Sequence, residues 1–394
     1  MITKFHKTIK CNELDNSYDI SFIEGHFKHC CKMEPIKFKD ELDELKYKFF
    51  DDNKISAGAK IDLRHGIRTS VCNECWADES KGILSWRQLH EGPYFKRNKI
   101  IHLNIEIFSQ CNHACMYCVP ELSSSIRKFN QWIDTKTGDN IKIWPQKNIN
   151  INFDHIINFL REKSNYKQHL DLGITGGEPF VNFNWFMNYV EEIITAFCID
   201  ESKSMQLNIS TNGNQEVDNI ELFYEKINKL KEEHNITVAI TSSIENLEER
   251  AEYIRYGLKW DNFVDNFKIH HKHADQKYVR MTLNPFSIVN IVDFFKYFLD
   301  YNVRIQYNYP FQLFWRINIL DDSFLNEIKK LQEFRDKHNK YQLSHYDWID
   351  TLHIQIENNT KQAAIFKNAI TNMDKIKNTN WRTVFPEYIE WFDK

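Results

Sequence analysis

Six stretches of the chain alternate apolar and polar residues with a period of two. In Ile101-His-Leu-Asn-Ile-Glu-Ile107 the odd positions are apolar and the even ones polar, the pattern of a strand with two unlike faces. The alternation returns at residues 170–175, 207–210, 238–243, 279–284 and 303–308. Between these runs, residues 153–160, 185–197, 220–230 and 291–299 space their apolar side chains for one face of a helix. Repeated strand-then-helix predicts a parallel sheet joined by right-handed crossovers.

With the apolar positions turned toward the helices, His102, Glu106, Asp171, Thr175, Asn208, Ser210, Thr241, Ser243, Arg280, Thr282, Asn284, Arg304, Gln306 and Asn308 share the other face. An ordinary eight-stranded barrel packs its interior with branched apolar side chains. A face this polar has to be wet or hold a ligand, because an unpaired buried polar group costs roughly 1–3 kcal/mol. Glu106, Asp171, Arg280 and Arg304 are its candidate substrate anchors and proton acceptors.

At 394 residues the chain has room for two domains, one of them a large α/β unit. A formal charge of −4 disfavours a strongly basic nucleic-acid surface. No run of eighteen apolar residues and no apolar stretch behind Met1 suggests a membrane span or a secretory leader, so a soluble cytoplasmic protein is expected. Nine cysteines, most at ligand-like spacings, fit a reducing compartment and predict oxygen sensitivity.

Directly after the first strand comes Cys111-Asn-His-Ala-Cys115-Met-Tyr-Cys118. Three thiolates at this spacing suit a cubane iron–sulfur cluster, whose fourth iron is left open for a ligand. Zinc sites close sets of four with paired Cys or His, and disulfide frameworks want an even cysteine count in a short secreted chain. Downstream, Gly176-Gly177-Glu178-Pro179 and Ser210-Thr211-Asn212-Gly213 each end a strand.

These motifs, in this order, resemble those of the radical S-adenosylmethionine (SAM) superfamily, and the resemblance spans nearly the whole chain. It implies a partial (β/α)6 barrel of TIM-like α/β class and a [4Fe–4S] cluster on Cys111, Cys115 and Cys118 that binds and reductively cleaves SAM. Tyr117 stands where the family places an aromatic beside adenine, although a loop aromatic covering the cluster fits the same position. Gly176, Gly177, Glu178 and Pro179 correspond to the motif that receives the methionine amine, and Ser210 and Asn212 to the strand that contacts the ribose. Ser243-Ile-Glu-Asn246 departs from the Ser-x-Asp-Gly of many relatives, with Glu245 in the acidic role. Arg255 resembles the arginine aimed at the SAM carboxylate; the alternative is a solvated helix arginine.

Cys11, Gly25 and Cys30 reproduce the Cys-x(9–15)-Gly-x4-Cys element of SPASM and twitch auxiliary-cluster domains, and Cys72-x2-Cys75 supplies a second pair. That resemblance implies a second iron–sulfur cluster on Cys11, Cys30, Cys72 and Cys75; a tetrahedral zinc site on the same thiolates is the alternative. Trp76 and the run from Gly82 to Arg87 extend the likeness to twitch proteins. Cys31 and Cys198 are left out, the first because it adjoins Cys30, the second as a buried small hydrophobe. The run His270-His-Lys-His273 reads as a solvated loop, having no Cys or carboxylate partner at ligand spacing.

The expected organisation is an auxiliary-cluster domain over residues 1–97, the partial barrel over 98–310 and a helical extension over 311–394 that closes the barrel. The implied reaction is hydrogen abstraction from a polar small metabolite, sugar or nucleotide, with oxidation through the auxiliary cluster. A flavodoxin- or ferredoxin-like protein is the implied electron donor. The alternatives are radical modification of a peptide or protein side chain, radical attack on a nucleic-acid base, and a non-catalytic iron–sulfur protein.

Overall fold

The computed structural model describes residues 17–21, 26–30, 33, 36–37, 54–80, 82, 85, 88, 99–129, 131–134, 136–142, 153–310, 312–338 and 347–394. Along the chain come β1 (Ser17–Ser21), β2 (His26–Lys28), β3 (Ile36–Lys37), α1 (Lys54–Arg64), α2 (Asn73–Ser80), β4 (Ile100–Phe108), β5 (Ala114–Cys115), β6 (Gln131–Ile133), β7 (Asn140–Lys142) and α3 (Asp154–Ser164). There follow β8 (His169–Gly176), α4 (Phe183–Phe197), β9 (Ser204–Thr211), α5 (Val217–Glu233), β10 (Ile236–Ser243), α6 (Glu248–Ile254), β11 (Arg255–Tyr256), α7 (Trp260–His273) and β12 (Gln276–Thr282). Last are α8 (Ile291–Leu299), β13 (Arg304–Asn308), α9 (Leu325–His338) and α10 (Thr360–Lys377), with short helical turns to the C-terminus. All six alternating runs form strands, and the class is mixed α/β with a parallel seven-strand sheet and a helical C-terminal part.

The chain divides into two compact units. Unit 1 comprises residues 1–108, 147–209 and 222–239; unit 2 comprises 109–146, 210–221 and 240–394. The unit boundary falls within two strands, after Ile209 in β9 and after Ala239 in β10.

In unit 1, β4 pairs in parallel with β8, and β8 with β9. β1, from the N-terminal segment, adds to the free side of β4 in parallel and to β2 antiparallel. Burial follows the alternation: Ile101, Leu103, Ile105 and Ile107 are buried, while His102, Asn104, Glu106 and Phe108 are partly exposed. The polar side chains bond one another. His102 Nδ1 lies 2.8 Å from Asp171 Oδ2, Asn208 donates to the other oxygen of Asp171, and Asn104 donates to Asp19 at 2.9 Å. A Cβ on Gly173 would stand 2.6 Å from Asn104 Oδ1, so this glycine makes room for the polar layer.

In unit 2, β12 and β13 pair in parallel. β12 ends at Thr282, two residues short of the alternating run, because Asn284-Pro285 opens a capped turn in which the Asn284 side chain accepts from Phe286 N. α8 buries Ile291, Phe294, Phe295 and Phe298, the 0, 3, 4, 7 spacing of an inward helix face. One apolar core joins these strands to the C-terminal helices through Phe286, Trp315, Phe366, Ile370, Phe385 and Tyr388. Phe314, Trp315, Phe324, Phe366, Trp381, Phe385, Tyr388 and Trp391 of the extension are therefore core.

The His270-His-Lys-His273 run is not a loop but the last turn of α7. His270 is buried, continuing the stripe of Phe263 and Phe267, and His271 Nε2 lies 2.6 Å from Tyr301 O.

Candidate functional site

The cysteine loop opens unit 2 and is fixed by its own backbone. Cys111 N donates to Ser124 Oγ at 3.1 Å, and Ser125 Oγ donates back to Cys111 O at 2.7 Å. β5 pairs antiparallel with β11, setting Cys115 opposite Arg255 and Ala114 opposite Tyr256. Gly257, at φ +103, lets the chain pass the loop: a Cβ there would fall 2.7 Å from Asn112 O. Cys115 is buried, and Cys111 and Cys118 are partly exposed.

Burial pushes the Cys118 thiol up, and the thiols of Cys115 and Cys111 push it further, so Cys118 stands within electrostatic reach of both. Burial also raises Cys115. Thiolates in such a pocket want a cation, and bound iron supplies one. Among the described residues no three His, Cys, Asp or Glu groups gather around a single metal ion. A cubane cluster places each thiolate on a different iron and so needs no such gathering around one ion.

A buried carboxylate organises the loop. Glu245 Oε1 accepts from Tyr117 OH at 2.7 Å, from Arg255 at 2.5 Å and from Thr282 N at 3.2 Å; its Oε2 accepts from Arg255 Nε at 2.7 Å. Burial by itself lowers the Arg255 guanidinium, and Glu245, with Tyr117 and Cys115, more than reverses that, holding it well above its ordinary value. Arg255 also reaches Cys115 Sγ at 3.8 Å. It is thus no solvated helix arginine: it sits at the end of α6 with its charge engaged by Glu245. The Tyr117 ring lies 5.8 Å from that guanidinium.

Asn212 Nδ2 lies 3.8 Å from Cys111 Sγ and donates to Asn112 Oδ1 at 2.7 Å, which ties the Ser-Thr-Asn-Gly segment to the cysteine loop. Ser210 Oγ accepts from Arg280 at 3.5 Å, and Arg280 donates to Gln306 Oε1 at 2.8 Å. Burial lowers Arg280, and among the described residues it has no carboxylate partner. Ser243 is half-buried at the end of β10; Arg304 is exposed at the start of β13.

Sequence reasoning missed Lys377. On the last turn of α10 it continues the buried stripe of Phe366, Ile370 and Met373, and its Nζ donates to Ala114 O at 2.6 Å. Burial lowers it to about 8, against the opposite pull of Cys115, Asp374 and Cys118. The available signal was a lysine placed in an apolar helical stripe.

In unit 1, β8 ends at Gly176, whose φ of +116 is open chiefly to glycine, and Gly177 N donates to Phe108 O at 2.5 Å. Glu178 is buried and accepts from Phe180 N at 3.2 Å at the start of the Pro179–Asn182 turn. Asp171 is bonded to His102 and Asn208; Glu106 pairs in register with Thr175. Cys30 and Cys72 pack against one small core of Met33, Ala59, Leu63 and Trp76, and Cys75 is buried on α2 beside Trp76. Cys11, Cys31 and Gly25 lie outside the described residues.

No family model and no curated protein matches the chain. Among solved structures it is similar to anSMEcpe with bound AdoMet, at 15% identity and a TM-score of 0.43, over 60% of this chain and 60% of that one. It is similar to Streptococcus suis SuiB bound to S-adenosylmethionine at 14% and 0.40, over 86% and 71%. It is also similar to TYW1 with a lysine-pyruvate adduct bound, at 13% and 0.33, over 61% and 74%. The chain spans 60% of the length of anSMEcpe.

Proposed function

We propose that this chain is a radical SAM enzyme acting on a polar substrate. The observation that carries the reading is the loop of Cys111, Cys115 and Cys118, in which Cys118 stands within electrostatic reach of the other two thiols and Asn212 of the Ser-Thr-Asn-Gly segment lies 3.8 Å from Cys111 Sγ. Cys111, Cys115 and Cys118 would hold the cluster. When bound, it would supply the electron for reductive cleavage of SAM, the chemistry by which hydrogen would be taken from substrate.

The chain's own residues bind and orient. Glu245 holds Tyr117 and Arg255 in place, so both side chains are set before any ligand arrives. Gly176, Gly177, Glu178 and Pro179 would receive the methionine amine, the Glu178 carboxylate accepting from the ammonium. Ser210, Asn212 and Ser243 would serve the nucleoside. Because Arg255 is engaged by Glu245, Arg280 is the better anchor for an anionic group of substrate or cofactor. A flavodoxin- or ferredoxin-like protein would deliver the electron.

The reading extends to a twitch- or SPASM-type auxiliary cluster on Cys11, Cys30, Cys72 and Cys75, supported by the packing of Cys30 and Cys72 on one core. It would take up the electron left on an oxidised substrate, which makes the enzyme an oxidoreductase. A small metabolite, sugar or nucleotide is favoured by the polar face of the sheet; a peptide is the second substrate class.

The test is anaerobic reconstitution with iron and sulfide, followed by SAM and dithionite, with iron per chain and 5′-deoxyadenosine quantified. Wild type should release 5′-deoxyadenosine, and the Cys111→Ala/Cys115→Ala/Cys118→Ala variant should lose it together with about half the iron. The Cys72→Ala/Cys75→Ala variant should lose the other half, and zinc in its place would mark the auxiliary site as structural. A fully loaded wild type that neither binds nor cleaves SAM leaves the electron-carrying iron–sulfur protein as the answer.

A further inference from the structure

We propose that Lys377 tunes the cluster loop electrostatically: its ammonium, seated on the Ala114 carbonyl between Cys111 and Cys115, stabilises the reduced cluster and raises its reduction potential. The inference rests on the cluster reading above.

The geometry gives Lys377 a charge but no counter-ion. Its Nζ donates to Ala114 O at 2.6 Å and lies 5.4 Å from the centre of the Tyr256 ring, and among the described residues no carboxylate stands at ion-pair distance. The carboxylate nearest in sequence, Asp374, is taken by Tyr253 OH at 2.9 Å, Thr379 Oγ1 at 2.6 Å and Trp381 N at 2.9 Å. The other cation at the loop, Arg255, is balanced by Glu245. Among the described residues, Lys377 is therefore a positive charge beside the thiols without an ion-pair partner, Asp374 acting on it only from beyond that distance.

A helix-end lysine ordinarily turns to solvent, where its stem covers apolar surface and its head stays wet. Here the head is buried, at a cost that only a nearby anion offsets. Three thiolates carrying a cluster are such an anion. Adding one electron makes the cluster more negative, so a fixed cation nearby favours the reduced form. Lys377 is a positioning residue: it acts on the cluster through charge and through the Ala114 carbonyl and needs no contact with SAM.

The experiment is an EPR-monitored redox titration of the reconstituted full chain, following the signal that SAM perturbs, in wild type, K377Q, K377M and K377R. K377Q keeps a donor for Ala114 O and removes the charge; K377M removes both and suits a buried site; K377R keeps the charge. The expected result is a more negative midpoint in K377Q and K377M alike, with K377R near wild type. A K377Q or K377M midpoint at the wild-type value overturns the inference, as does a K377R midpoint shifted as far as theirs, which would make the role structural. Should wild type assemble no SAM-responsive cluster, the proposed function itself fails and this inference falls with it.

Discussion

Glu245 has both carboxylate oxygens occupied inside unit 2, and it holds Tyr117 of the cysteine loop together with Arg255, which pairs with Cys115. Glu245 is fully buried and Arg255 nearly so. Removing one member of such a pair strands the other charge, so Glu245→Gln should cost about 3–5 kcal/mol in urea unfolding. The double variant Glu245→Gln/Arg255→Met should cost less than Glu245→Gln alone, because no buried charge remains unpaired. Equal costs would mean that the pair is not what fixes this corner. The sequence offered Glu245 and Arg255 as separate readings, a substitute acidic group and a cation for SAM. Their mutual engagement across ten residues was not legible, since it depends on α6 turning the chain back onto β5.

At the scale of elements, the Ser210-Thr211-Asn212-Gly213 segment shows why a motif glycine is where it is. Gly213 has φ +70, and a Cβ there would fall 2.6 Å from the Phe263 ring of α7. Phe263 is fully buried and stacks on Trp260 and Phe267, so it has nowhere to go. Gly213→Ala should therefore destabilise by about 1–3 kcal/mol, read as a lowered melting temperature. An unchanged melting temperature would show that the turn adapts. The strands were legible because a period-two sequence pattern is a local property: each of the six alternating runs carries a strand, although β10 is buried at every position from Val238 to Ser242. α7 was less so. Its stripe of Phe263, Phe267 and His270 has helical spacing, but a histidine-rich end hides the period when histidine is counted as polar.

For the molecule as a whole, acid stability tests the same packing. His270 is buried in α7, and burial lowers it from 6.5 to about 3. The folded chain therefore keeps it neutral while the unfolded chain protonates it near pH 6.5. Its stabilising contribution is complete above that pH and is lost as pH falls from about 6.5 toward 3, at up to about 1.4 kcal/mol per pH unit. His270→Gln should flatten the acid limb of a stability-versus-pH curve measured by urea unfolding; an unchanged limb would assign the loss to other groups. Among the described residues no helix is long and apolar enough to cross a membrane.

The sequence by itself determined the strand-and-helix alternation, the polar inner face and the three-cysteine loop, because periodicity and ligand spacing are written in neighbouring residues. Only the tertiary structure decided what surrounds that loop. Arg255 is spent on Glu245, Arg280 is left without a carboxylate among the described residues, β1 joins the sheet beside β4, and Lys377 reaches Ala114 across 263 residues. Such contacts follow from how a lysine in an apolar helical stripe is packed, and packing joins residues that sequence distance keeps apart.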